Sequence, residues 1–129
     1  MDDRLLTHVL QQSLRFSRRT QPAQAAVLIA ITNEHHPKVL LTRRSTQLSN
    51  HAGEVSFPGG KRDAGDTSNI VVALREAHEE TALNPFDVEL IGDLPMQRAR
   101  SGMLVKPIVG LIPPNVDLIA QPTEIDRIF

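Results

Sequence analysis

Three glutamates with the spacing i, i+3 and i+4 are the residues of this chain best suited to chemistry. On a helix, where each residue turns by about 100°, Glu76, Glu79 and Glu80 lie on one face. Their like charges repel one another, and a hard divalent cation such as Mg²⁺ removes that repulsion because it prefers oxygen ligands. The alternative interpretation is a solvated acidic face on which Arg75 pairs with Glu79. The spacing therefore indicates either a metal site or an exposed charged surface.

The segment that carries these glutamates is predicted to be a helix from Ser68 to Leu83. Ser68 is a favourable N-cap, Asn84-Pro85 is a favourable stop, and no Gly or Pro interrupts the segment. Apolar or small residues occupy the face roughly opposite the glutamates: Ile70, Leu74, Ala77 and Thr81. The pattern therefore predicts an amphipathic helix that separates its carboxylates from its packing face.

A glycine pair precedes the helix, in the segment Phe57-Pro58-Gly59-Gly60-Lys61-Arg62-Asp63. Paired glycines allow a positive φ or a close approach of the backbone to a ligand. We expect a tight turn here, followed by a charged loop, and a plain hairpin connection is the alternative. The two elements together form a loop-helix-loop unit with glycines at its start and carboxylates at its end.

This unit resembles the Nudix box, whose usual form is G-x5-E-x7-R-E-U-x-E-E-x-G-U, where U is apolar. The second half of the box matches at six positions: Arg75, Glu76, Ala77, Glu79, Glu80 and Leu83. Ala82 replaces the final Gly of the box. In the first half, Asp66 stands where the box has Glu, and Arg75 lies one residue further along than usual.

A second motif lies upstream and resembles the signature L-L-T-x-R-S-x3-R-x3-G-x3-F-P-G-G. It comprises Leu40-Leu41-Thr42-Arg43-Arg44-Ser45, Gly53 and Phe57-Pro58-Gly59-Gly60. This signature marks the coenzyme A pyrophosphatase branch of the Nudix hydrolases, whose members carry the same lengthened box. Ser49 stands where the signature has Arg, so a bidentate phosphate donor is missing. Four nearby cations could still hold an anionic substrate: Arg43, Arg44, Lys61 and Arg62.

The resemblance covers about Ala25 to Pro114 and implies a fold and an activity. The implied fold is α/β, a Nudix-type α/β/α sandwich with a mixed sheet and a loop-helix-loop catalytic motif. The implied reaction is hydrolysis of a diphosphate linkage with Mg²⁺ or Mn²⁺. Coenzyme A or acyl-coenzyme A would give 3′,5′-ADP and (acyl-)4′-phosphopantetheine. The alternatives are another nucleoside diphosphate derivative (a sugar nucleotide, dinucleotide or damaged nucleoside triphosphate) and a non-catalytic binding domain.

The resemblance also implies roles for individual residues. Glu76, Glu79 and Glu80 would bind the metal, and Arg75 would orient a carboxylate of the box by an ion pair. Glu79 or a loop residue would act as the general base. The implied substrate-binding residues are Arg44, Gly53, Phe57, Gly59, Gly60 and Lys61. Glu124 lies where related enzymes often carry an acidic residue that faces the metal, and a charge on an edge strand is its alternative reading.

Composition limits the remaining possibilities. With 129 residues the chain is expected to form a single domain, 1–129. A net charge of -1 and a pI near 6.5 argue against a general nucleic-acid binder. The absence of cysteine excludes a disulfide framework, a thiol nucleophile and a zinc-thiolate site. No stretch approaches the ~20 apolar residues of a membrane span, and the acidic start lacks signal-peptide features, so we expect a cytoplasmic location. Oligomeric state stays open, with a homodimer as one option.

The apolar pattern predicts the remaining elements. An amphipathic helix over Asp3–Phe16 and a polar linker over Ser17–Pro22 make up an N-terminal part, 1–22. Four strands are predicted, over Ala23–Thr32, Val39–Thr42, Val88–Asp93 and Leu104–Ile112. A polar loop is predicted over Arg43–Ala52. Residues Glu124–Phe129 begin like a strand and then stop, whereas chains of this branch continue further, so we expect a domain truncated at its C-terminal end.

Overall fold

The computed structural model describes residues 22–49 and 51–129. The predicted N-terminal helix over Asp3–Phe16 lies outside the described residues. The described elements are, in order, β1 (Ala25–Thr32), β2 (Thr42–Arg44), β3 (Val55–Ser56), β4 (Gly59–Lys61), α1 (Asn69–Thr81), a 3₁₀ turn (Pro85–Asp87), β5 (Glu89–Asp93), β6 (Gln97–Arg98), β7 (Leu104–Ile112) and β8 (Ile125–Ile128). No helix among these elements is long and apolar enough to cross a membrane.

The larger of two sheets has the strand order β4-β1-β7-β5, and β6 pairs with the start of β7. β1 and β7 are parallel along their whole length, from Ala25 opposite Val105 to Thr32 opposite Ile112. The other pairs are antiparallel, so the sheet is mixed. The predicted α/β fold with a mixed sheet is thereby confirmed.

Helix α1 packs across one face of this sheet. Val72, Ala73 and Ala77 of the helix are buried in one cluster with Leu28 and Ile108 from the central strands. Full burial of a side chain such as Leu28 contributes about 2 kcal/mol to the free energy of unfolding. The packing orients the helix so that its remaining face, which carries the glutamates, lies at the edge of the core.

Both ends of α1 are capped. The Ser68 hydroxyl accepts a hydrogen bond from the backbone N–H of Val71 (3.1 Å), as an N-cap does. The helix ends at Thr81, two residues earlier than predicted, because Ala82 adopts the left-handed conformation with φ 61°. Its N–H donates to the carbonyl of His78 (2.9 Å). Ala82 stands where the Nudix box has Gly, and the left-handed backbone costs an L-residue about 1 kcal/mol.

The second predicted strand is wrong in its position. The strand runs over Thr42–Arg44 rather than Val39–Thr42, and Val39 makes only an isolated bridge to Ile31. Arg43 and Arg44 therefore belong to β2 and not to the predicted polar loop. The reason is a distant partner, since β2 pairs on one side with β3 and on the other with β8 in a second, three-stranded sheet. The strand character predicted for the C-terminal segment is confirmed by β8.

The predicted tight turn at Gly59-Gly60 is also wrong. Both glycines lie in β4, where Gly59 pairs with Val27 and Gly60 with Ala26 of β1. Neither glycine has a positive φ. A Cβ on Gly59 would lie 2.4 Å from the carbonyl oxygen of Ala26. Glycine is required at this position because the β4 backbone lies directly against β1.

Candidate active site

A cleft of about 320 Å³ opens between α1, β4 and the second sheet. Its walls consist of Thr42, Arg44, Ser56, Gly59, Gly60, Lys61, Glu76, Glu80, Glu124 and Ile125. The fold thus brings two of the three predicted metal ligands together with four of the six predicted substrate-binding residues. The two classes come from different parts of the chain and meet because β4 lies beside the helix.

Glu80 is the acidic centre of the cleft. Its side chain is buried, with 7 % of the residue exposed, and one carboxylate oxygen accepts the N–H of Gly59 (3.3 Å). Burial together with the negative charge of nearby Glu76 raises the pKa of Glu80 to about 8. Burial also raises the pKa of Glu76, although Arg75 opposes the shift. Two carboxylates in this position favour a shared proton or a cation between them.

Gly60 makes room for the Glu76 carboxylate. A Cβ on Gly60 would lie 2.3 Å from Oε2 of Glu76, so any side chain there would displace the carboxylate. The N–H of the neighbouring Gly59 contacts Glu80. The glycine pair therefore allows a close approach, as the sequence suggested, and the groups that approach are the β4 backbone and the two carboxylates.

Arg75 contacts the carboxylates of both Glu76 and Glu79. Its Nη1 lies 2.7 Å from Oε1 of Glu76 and 3.1 Å from both oxygens of Glu79. The guanidinium thus reaches the carboxylate of its own sequence neighbour as well as that of Glu79. Arg75 therefore forms ion pairs with two carboxylates of the box.

Asp66 is a residue of the site that sequence reasoning missed. Its two carboxylate oxygens accept hydrogen bonds from Nε and Nη2 of Arg75, at 2.9 and 2.8 Å. The side chain is 4 % exposed, and the Arg75 guanidinium lowers the pKa of Asp66 to about 2. The signal was its place six residues after Gly60, with five residues between them, where the box usually has Glu. Asp66 has a shorter side chain than the usual Glu, and one extra residue separates it from Arg75. With both differences present, the ion pair with Arg75 still forms.

Glu79 does not join the other two glutamates. Its carboxylate is 53 % exposed and pairs with Arg75, and Glu79 is not part of the cleft wall. The expectation that three carboxylates converge is therefore not met here, because Arg75, one turn earlier, draws Glu79 towards solvent. The alternative reading, an Arg75–Glu79 pair, is present alongside the acidic pair. Within residues 22–49 and 51–129 no three acidic or histidine side chains are close enough to hold one cation.

Two of the four nearby cations serve the fold. Nε of Arg43 lies 2.7 Å from a carboxylate oxygen of Asp126, which tethers β2 to β8. The Arg62 guanidinium donates to the carbonyls of Ala23 and Asp66 and to the amide oxygen of Asn69. Arg44 and Lys61 are the two that line the cleft. Arg44 and Lys61 are therefore the two cations whose position beside the acidic pair allows contact with a bound anion.

The other two predicted substrate-binding residues, Gly53 and Phe57, do not line the cleft. Gly53 has a φ of 76°, and its N–H donates to the carbonyl of Arg44 (3.0 Å), so it shapes the loop after β2. Phe57 is half-buried. Glu124, by contrast, lines the cleft, and its charge adds to the rise in the pKa of Glu80. The acidic reading of Glu124 thus gains support from its position beside the cluster.

Residues 22–124 match the family model described as NUDIX domain. The chain belongs to the Nudix family. It is 49 % identical over 106 residues to a protein of Citrobacter koseri named "Uncharacterized Nudix hydrolase NudL", covering 82 % of this chain and 55 % of that one. The protein of the same name from an Escherichia coli strain is 50 % identical over the same lengths. The chain thus spans about half the length of these curated relatives.

Solved structures share the fold at low sequence identity. A Caenorhabditis elegans Ap4A hydrolase binary complex superposes with a TM-score of 0.69 and 19 % identity, covering 81 % of this chain and 76 % of that one. The NUDIX domain of Shewanella oneidensis NrtR, complexed with ADP ribose, has a TM-score of 0.61 and 21 % identity, covering 86 % and 73 %. At these identities the similarity establishes the Nudix fold.

Proposed function

We propose that this protein hydrolyses a diphosphate linkage in a nucleotide derivative, and that coenzyme A and its thioesters are the substrate class. The observation that carries the proposal is the cleft itself. It sets the paired carboxylates of Glu76 and Glu80 opposite the cationic side chains of Arg44 and Lys61. A diphosphate carries negative charge on both phosphates, so its hydrolysis needs cations around the substrate and an acidic site for a metal.

Glu76 and Glu80 suit a divalent cation of the Mg²⁺ or Mn²⁺ type. Their carboxylates are oxygen donors. Burial raises the pKa of both, and the negative charge of Glu76 adds to the rise at Glu80. Mg²⁺ is usually held by one or two protein carboxylates, with water and substrate phosphates completing its shell, so two converging glutamates are enough. When bound, such a cation would supply stabilisation of the negative charge that develops on the phosphate oxygens.

The other groups of the site have distinct tasks in this proposal. Arg75 positions Glu76 through its 2.7 Å ion pair, and Asp66 holds Arg75 from the other side. Arg44 and Lys61 bind the phosphate oxygens of the substrate. Glu124, which lines the cleft, is the candidate for the general base in place of Glu79, whose carboxylate pairs with Arg75 and is not part of the cleft wall.

Support for coenzyme A comes from the signature that runs from Leu40 to Gly60 in this chain. Four of its residues line the cleft: Thr42, Arg44, Gly59 and Gly60. Other diphosphates are the second candidate class, because structural neighbours are described as an Ap4A hydrolase and as a complex with ADP ribose. Ser49, which replaces the signature Arg, is the feature that favours this second class.

The test is turnover by the purified 129-residue chain with coenzyme A and either Mg²⁺ or Mn²⁺, followed by chromatography for 3′,5′-ADP. We expect metal-dependent product, none in the presence of EDTA, and faster turnover of coenzyme A than of ADP ribose or Ap4A. Faster turnover of one of the latter would contradict the substrate class and leave the reaction intact. A folded protein that hydrolyses none of the three would contradict the reaction, leaving a non-catalytic binding domain.

A further inference from the structure

A second cavity, of about 550 Å³, lies outside the catalytic cleft. It is lined by His51, Glu54, Val55, Ala99, Arg100 and Ser101. Its two walls are the loop that leads into β3 and the turn that joins β6 to β7. The first of these walls belongs to the signature segment, whose usual Arg position, Ser49, lies just before it in the sequence.

Strand β3 separates the second cavity from the cleft. The strand consists of Val55 and Ser56, and Val55 lines the second cavity whereas Ser56 lines the cleft. Consecutive residues of a strand present their side chains to opposite faces, so the two cavities are back to back. β3 is the edge strand of its sheet, so no described strand pairs with its outer side.

Arg100 supplies the positive charge of this cavity. It is exposed, and no described residue holds its guanidinium by a hydrogen bond or ion pair. The turn beneath it is well ordered by contacts of its own. The N–H of Ala99 donates to the carbonyl of Met103 (2.9 Å), and Nη1 of Arg98 donates to the carbonyl of Gly102 (2.8 Å). The turn therefore presents one guanidinium to the cavity while its neighbour secures the backbone.

The opposite wall carries charges that partly cancel. Nδ1 of His51 lies 3.2 Å from a carboxylate oxygen of Glu54. Both side chains are largely exposed, so their pair is weakly held. The cavity therefore has one permanent positive charge, that of Arg100. The carboxylate of Glu54 in the opposite wall already has His51 as a partner.

We propose that Arg100 binds the 3′-phosphate of the adenosine part of coenzyme A. The inference rests on the proposed function. In coenzyme A a single ribose separates this phosphomonoester from the diphosphate, so a substrate with its diphosphate in the cleft can extend the ester over β3. A guanidinium suits the task because it donates two parallel hydrogen bonds to phosphate oxygens.

The test compares coenzyme A with 3′-dephospho-coenzyme A in wild type, Arg100→Gln and Arg127→Gln. Loss of a charge-assisted contact to phosphate should raise KM for coenzyme A about 10-fold or more in Arg100→Gln, with kcat little changed. The KM for 3′-dephospho-coenzyme A should not change, because that substrate lacks the ester. Arg127→Gln, which removes an exposed guanidinium that lines neither cavity, is the matched control and should retain the wild-type preference.

An equal effect of Arg100→Gln on both substrates, or no effect on either, would overturn the inference. A readout independent of turnover is the affinity for 3′,5′-ADP relative to 5′-AMP, measured by calorimetry. Wild type should prefer 3′,5′-ADP and Arg100→Gln should not. If that difference is observed in a protein without turnover, the proposed reaction fails while the phosphate contact stands. If the two nucleotides bind wild type equally, the contact fails whatever the turnover.

Discussion

The acidic residues around α1 form two groups that differ in how their charge is balanced. Asp66 and Glu79 both contact Arg75, Asp66 through two hydrogen bonds and Glu79 at 3.1 Å. Glu80, the next residue along the helix, is buried, and its only described donor is the N–H of Gly59. No basic side chain of the described residues pairs with it. Glu76 lies between the groups, with one oxygen on Arg75 and the other beside Gly60.

The difference shows which carboxylates maintain the structure and which are available to a ligand. A carboxylate neutralised by a guanidinium keeps a low pKa and gains little from a further cation, as for Asp66. A buried carboxylate without such a partner has a raised pKa, as Glu80 has, and a bound cation stabilises its charged form strongly. Adjacent residues of the same type thus acquire different roles from their surroundings.

The largest effect is expected from Glu80→Gln, which removes the charge without a change of shape. Turnover of the best diphosphate substrate should fall about 100-fold or more, because the group that favours the cation is lost. Glu79→Gln is the matched control, one residue away, and should lose clearly less. Equal losses of turnover in steady-state assays of the two variants would contradict the distinction between the carboxylate paired with Arg75 and the one without a basic partner.

A smaller effect is expected from Asp66→Asn, which weakens the support of Arg75. Turnover should fall about 10-fold, as is usual when a group that orients a metal ligand is changed. The control is Asp63→Asn, whose exposed carboxylate lies 3.4 Å from Arg75 at the side of the cluster. If both substitutions have the same effect on kcat, Asp66 is not the residue that positions Arg75.

The dependence of stability on pH should differ between wild type and Asp66→Asn in acid. The pKa of Asp66 is lowered to about 2 from a usual value of 3.8, so its ionised form stabilises the fold. That contribution is complete above pH 3.8 and is lost as the pH falls towards 2. Urea unfolding of wild type should therefore show a loss of stability over this range that Asp66→Asn lacks. An unchanged pH profile in Asp66→Asn would show that the ion pair does not stabilise the fold.

The smallest effect, and one confined to stability, is expected from Ala82→Gly. Glycine adopts the left-handed conformation of Ala82 without strain, so the free energy of unfolding should rise by about 1 kcal/mol. Turnover should not change, because Ala82 contacts neither group of carboxylates. A lower midpoint in urea would mean that the greater flexibility of glycine in the unfolded chain outweighs the relief of strain.

Local patterns predicted the parts of the molecule that are determined locally. Helix α1, its cap at Ser68 and the long strand β7 follow from periodicity and capping chemistry, which act between near neighbours in sequence. The glycine pair shows the limit, because its place in β4 depends on pairing with β1, more than 30 residues away. Likewise the strand at Arg44 depends on pairing with the distant strand β8, and no local pattern reveals that two segments so far apart will pair.

The site was predictable in its composition and less so in its geometry. The motifs identified Glu76, Glu80, Arg44 and Lys61, which meet in the cleft. Helical spacing placed Glu79 with the other glutamates, because a helical wheel gives the direction of a side chain and not its partner. The sequence offered the Arg75–Glu79 pair only as the alternative to a metal site, whereas the structure contains that pair alongside the acidic pair of Glu76 and Glu80.

The most direct test of the account is calorimetric titration of Mn²⁺ into wild type, Glu80→Gln and Glu79→Gln, without substrate and at neutral pH. We predict one binding event in wild type that is lost in Glu80→Gln and preserved, at somewhat lower affinity, in Glu79→Gln. Circular dichroism of the three proteins confirms that each is folded. Binding to Glu80→Gln with wild-type affinity would contradict the claim that the unpaired carboxylate is the one that holds the cation.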